Sequence, residues 1–110
     1  MKNVTKIVNL TPHTLNIHNT SGDVKNIPPS GDVARVDVTY RPYGRHGGVD
    51  LYRADYGAVV GLPDPKLDHI YVVSGMVAQV TPRPDVYSPG QLVRDGDGRP
   101  VGCQGLKVSI

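Results

Sequence analysis

Gly31-Asp32-Val33-Ala34-Arg35-Val36-Asp37-Val38-Thr39-Tyr40-Arg41 is the stretch whose periodicity decides the fold. Ala34, Val36 and Val38 alternate with Arg35, Asp37 and Thr39, the pattern of a half-buried antiparallel strand. The rest of the chain shares this bias. Seventeen Val stand against seven Leu and five Ile, and all ten acidic residues are Asp. Val is stiff at its first side-chain torsion and suits a pleated surface, whereas the residues that fill helices at low cost are scarce. Thirteen Gly and ten Pro are spread so evenly that a three-turn helix has almost nowhere to form.

Upstream of that strand, Val4 to Leu10 reads as a first strand, broken at Thr11-Pro12, where the proline marks an edge, bulge or corner. Thr14 to His18 resumes, Asn19 to Gly22 turns, and Asp23 to Ile27 returns to the turn Pro28-Pro29-Ser30-Gly31, so the first forty residues are expected to form a meander. Downstream, Tyr40 to Gly48 is polar and punctuated, and reads as a mobile loop. Val49 to Asp55 and Ala58 to Gly61 are expected to pair about Tyr56-Gly57 as a hairpin. His69 to Val73 is nearly continuous in apolar character, as in a strand covered on both faces. Pro82, Pro84 and Pro89 enclose an extended loop carrying Arg83, Asp85 and Tyr87. Gln91 to Arg94 and Arg99 to Cys103 predict a hairpin over Asp95-Gly96-Asp97-Gly98, with Leu106 to Ile110 as a last strand. The expected fold is one β-rich domain over residues 1–110, a small, mainly antiparallel barrel or sandwich of about seven to nine short strands with at most one short helix.

Charge and chemistry narrow the function classes. Twelve Lys and Arg against ten Asp leave a net +2, too little for coating nucleic acid along its length. The single Cys103 forms no intrachain disulfide, and neither a basic-apolar leader nor a membrane-length apolar run is visible, so a reducing cytoplasm is expected. Gly44 to Gly48 lacks the Lys-Ser/Thr pair of a phosphate loop. Asp95 to Gly98 offers too few oxygens for calcium, and His13, His18, His46 and His69 show no zinc-site spacing. No metal or cofactor is expected. Neither Cys103 between glycines nor Ser74 after the buried strand has the base and oxyanion donor that nucleophilic catalysis requires. Two groups stay open between structure and ligand binding: His13 beside the Pro12 corner, and Arg83-Pro84-Asp85 with Arg94-Asp95, which either grip an anion or staple loops to the body.

Asn9-Leu10-Thr11-Pro12-His13, Ile27 to Val36, Gly61-Leu62-Pro63, Ile70 to Ser74 with Val77-Ala78, Arg83 with Asp85, and Val93-Arg94-Asp95 with Gly98 resemble, in order and spacing, a family of small proteins encoded by phages and prophages. That resemblance favours a short helix after Ser74. It also implies a homo-oligomeric protein of the infected bacterial cytoplasm, without membrane association, that acts by occupancy rather than catalysis. Three modes follow from it: sequestering a nucleotide-type immune signal as an anti-defence protein, inhibiting a host protein, or serving as a minor virion or assembly component. In the first mode Arg35, Arg83 and Arg94 would meet phosphates, Tyr43, Tyr71 and Tyr87 would stack a base, and His13, Ser74 and Asp85 would bond its polar edges.

Overall fold

The computed structural model describes residues 5–110, in which alternation at Val36 and Val38 does produce a strand, and a much longer one than its apolar part. The elements run β1 (Lys6–Asn9), β2 (Leu15–His18), β3 (Val24–Ile27), β4 (Arg35–His46), β5 (Val49–Val60), β6 (His69–Val72), α1 (Gly75–Gln79), β7 (Val86–Arg94) and β8 (Pro100–Val108). The protein is thus mainly β, with 55% of residues in strands and one short helix. Six strands form a nearly closed, barrel-like sheet in the order β1-β6-β7-β8-β2-β3, and β4 and β5 form a separate two-stranded ribbon. The longer ladders, β4 with β5 and β7 with β8, are antiparallel, while β1 with β6, β6 with β7 and β2 with β8 run parallel.

Alternation along β6 explains the two cores. Tyr71 and Val73 face one side, where they meet Leu10, Val77, Ala78 and Val86 beneath α1 and the base of the ribbon. Val72 faces the other side, inside the curl of the sheet, with Leu15, Ile17, Cys103 and the flanking Ile7, Ile27 and Leu106. A strand buried on both faces has no polar positions, which is why His69 to Val73 reads as it does.

The two open edges of the sheet, β1 and β3, meet at Asn9. Its Nδ2 donates to the carbonyls of His13 (2.7 Å) and Ile27 (3.1 Å), and its Oδ1 accepts from the Thr11 N–H and Oγ1–H. The Ser30 N–H in turn donates to the Asn9 carbonyl at 2.9 Å. One side chain therefore closes the barrel where strand pairing stops, and the Pro12 corner is built around it.

Several expectations change. The first forty residues are no meander, because β1 lies across the sheet from β2 and pairs with β6; Val4 lies outside the described residues. Tyr40 to Gly48 is no loop: it is the outer half of β4 and its turn, and Gly47 and Gly48, at φ 56° and 76°, supply the left-handed pair that a tight hairpin needs. The hairpin about Tyr56-Gly57 does not form, since β5 runs unbroken through both residues against β4 with a bulge there. Gln91 to Arg94 belongs to the longer β7, which contains Pro89, and Leu106 to Val108 is the end of β8 rather than a further strand. The hairpin over Asp95 to Gly98 forms, with Asp95 accepting from the Asp97 and Arg99 N–H groups.

Candidate functional site

Directly opposed residues of an antiparallel pair share a face, so the β4–β5 register sorts the ribbon into two sides. Val36 opposite Val59 packs onto the core beneath α1. The same face continues outward as Val38 opposite Tyr56, Tyr40 opposite Ala54, and Pro42 opposite Tyr52. Beyond Val38 this apolar face has no cover among the described residues: Tyr40, Tyr52 and Tyr56 are 66%, 58% and 47% exposed. The reverse face is charged. Arg41 pairs with Asp55, and the Arg53 guanidinium lies 5.2 Å from the centre of the Tyr43 ring. Four of the six tyrosines therefore sit on a projecting element that carries none of the buried core. An isolated two-stranded ribbon is marginal in water, and exposed aromatics in a row mark a surface used for contact.

The residues expected to bind an anion are dispersed. Arg83 and Asp85 are paired fork to fork, Nε to Oδ1 at 2.9 Å and Nη2 to Oδ2 at 2.6 Å. Arg83 also donates to the Pro63 carbonyl, and its main chain exchanges two hydrogen bonds with Ser109 Oγ. The hydrogen bonds from Arg83 hold the Asp85 carboxyl below its ordinary pKa, and the same bonds raise that of the guanidinium. This is a staple joining the β7 approach to the chain's end. Arg94 is spent on the Gly98 carbonyl at 2.7 Å, within its own hairpin. Tyr71 is 3% exposed in the core, with its hydroxyl 3.5 Å from the Asp64 carbonyl. Tyr87 is half-buried in β7, and Tyr43 is on the ribbon. Ser74 caps α1 by accepting from the Val77 N–H. His13 is exposed, and its main-chain carbonyl is what the Asn9 corner uses.

Besides the Arg83–Asp85 pair, whose Asp85 carbonyl accepts from the Tyr71 N–H at 2.8 Å, Arg35 and Ser74 are brought together on an open cleft of about 390 Å3 between the ribbon base and α1, whose other walls include Leu10, Val36 and Met76. A second open cleft, of about 530 Å3, lies over β2, β7 and β8 and has His13 on its rim. Among the described residues, no group of three or more His, Cys, Asp or Glu side chains could hold a metal ion, and no helix is long and apolar enough to cross a membrane. Of the ribbon's tyrosines, Tyr43 was expected to meet a ligand, whereas Tyr40, Tyr52 and Tyr56 were not. The available signal was Gly47-Gly48 between two Tyr-bearing stretches, a dipeptide that marks a two-residue hairpin. No known protein family, curated protein or solved structure matches the chain.

Proposed function

We propose that this is a non-enzymatic binding protein of phage origin that works by laying the apolar face of its β4–β5 ribbon on an apolar patch of a host protein. The observation that carries the reading is the continuous stripe of Val38, Tyr40, Pro42, Tyr52, Ala54 and Tyr56, which extends a core-facing side beyond the core. Tyrosine suits such a role because it offers a large rigid surface with a polar tip and loses little rotamer entropy on contact. The resemblance to phage and prophage proteins supplies the setting, the cytoplasm of an infected bacterium. Retention of a bacterial protein by the wild type and its loss in Y40S/Y52S/Y56S, with circular dichroism unchanged, supports the reading. Retention that ignores the three substitutions overturns it.

A second reading, sequestration of a nucleotide-type signal, rests on Arg35 and Ser74 sharing the cleft beside α1. Native mass spectrometry of protein purified from bacteria separates the two. A small molecule released unchanged on heating, and lost in R35A, supports sequestration, while a bare polypeptide mass supports the ribbon.

A further inference from the structure

Among the described residues β5 pairs with β4 alone, so its outer edge presents a row of unpaired N–H and C=O groups along twelve residues. Natural proteins protect such edges with proline, bulges or charge. The outer edge of β4 has that protection, because Pro42 lacks an N–H and the register slips between Pro42 and Gly44. The edge of β5 contains no proline, and from Tyr52 to Tyr56 its register against β4 is unbroken.

That unbroken segment reads Tyr52-Arg53-Ala54-Asp55-Tyr56, and it is complementary to itself when reversed. We infer that two copies of the chain join edge to edge through antiparallel pairing of this segment, with the two-fold axis at Ala54. In that register Ala54 meets Ala54 of the second copy, Arg53 meets Asp55, and Tyr52 meets Tyr56. A two-fold axis perpendicular to the sheet must lie midway between the two copies of one residue, because only then do opposed side chains share a face. Shifting it to Arg53 or to Asp55 sets like charges against each other at the centre, and shifting it to Tyr52 or Tyr56 leaves both ions without an opposite. Ala54 alone among the five satisfies the charges and pairs the aromatics.

The groups already near these ions are compatible with the pairing. Asp55 holds Arg41 of its own ribbon, and Arg53 lies over Tyr43, all on the charged face. The product is a four-stranded sheet whose charged face is laced by Arg and Asp from both copies. Its apolar face carries Tyr40, Tyr52 and Tyr56 twice. This inference concerns the strand edge and stands whether or not the apolar face docks on a host protein.

Sedimentation equilibrium across a hundredfold range of concentration tests it, with circular dichroism to confirm folding. The wild type is expected to form a dimer. R53D and D55R each place like charges across the axis twice, and each is expected to weaken association at least tenfold. R53D/D55R restores opposite charges across the axis and is expected to recover dimerisation, which a merely local role for the Arg41–Asp55 pair would not do. A wild type that stays monomeric at the highest concentration, a dimer indifferent to R53D and D55R, or a double variant no better than the singles overturns the inference.

Discussion

Asn9 is 1% exposed and has every polar atom of its side chain engaged, so it is the residue on which barrel closure most depends. Asn9→Ala removes the side-chain donor to the Ile27 carbonyl and the side-chain acceptor of the Thr11 N–H, and an unsatisfied buried group costs roughly 1–3 kcal/mol. The expected loss is about 3 kcal/mol in urea unfolding. Asn9→Asp, nearly the same shape, turns an acceptor toward two carbonyls and should cost at least as much, which separates hydrogen bonding from cavity formation. His13→Ala, which removes only an exposed ring, should change stability by less than about 0.5 kcal/mol. The Arg83–Asp85 pair answers to pH. Its side chains are 24% and 16% exposed, so the pair is mostly screened from water. Because the folded-state pKa of Asp85 is lowered, its contribution is complete above the unfolded value near pH 4 and is lost as pH falls through the lower folded value. Asp85→Asn is expected to cost about 1–2 kcal/mol at neutral pH and to flatten the decline in stability as the pH falls below about 4.

At the scale of elements, β2 joins the sheet through a short parallel contact with β8, Ile17 beside Cys103 and His18 beside Gln104. Gly102 makes that approach possible, since a Cβ there would collide with the Asn16 carbonyl oxygen and press on the His18 ring. Gly102→Ala should therefore cost about 2 kcal/mol or more, and hydrogen exchange should locate the damage. Because β3 is held in the sheet through β2, amides of both strands should exchange faster while those of β6 and β7 hold. Uniform acceleration, or none, would show that β2 is anchored elsewhere. Elements differ in how plainly the chain announces them. His69 to Val73 is legible because burial on both faces leaves a nearly continuous apolar run from Ile70 onward, and the Asp95 to Gly98 hairpin because its turn chemistry is local. The outer ribbon is not, since strands that bury nothing within their own chain carry no burial pattern, and Arg41-Pro42-Tyr43-Gly44-Arg45-His46 looks like any exposed loop. Separation of β1 from β2 is likewise invisible, because it depends on β6, whose His69 pairs with Lys6 from 63 residues further along the chain. Arg83 and Asp85 could be picked out as partners from spacing, but whether they held each other or a ligand needed the Pro63 and Ser109 contacts.

The whole molecule is elongated, 60 × 40 × 24 Å with a radius of gyration of 16.9 Å, against about 13 Å for a compact chain of this size. The excess has an evident source. Both hydrophobic clusters lie in the barrel and at the ribbon base, and from Val38 outward the ribbon runs on for nine residues of β4, about 30 Å at the usual strand rise. A fold that spends so much of its chain outside its core gains little stability from that part, so the ribbon and the body should separate cleanly by deletion. Asp37 and Gly57 sit side by side, with the position of a Cβ on Gly57 3.6 Å from the Cβ of Asp37. Replacing residues 38–56 by a two-residue Asn-Gly turn between them keeps Val36 and Val59 on the core. The shortened chain should unfold cooperatively within about 1 kcal/mol of the parent and scatter as a compact particle. It should also lose both self-association and any retained protein partner. Loss of cooperative unfolding would mean that the ribbon is needed to fold the barrel. Association that survives the deletion would move the contact surface to the body, where an open cleft of about 530 Å3 lies over β2, β7 and β8.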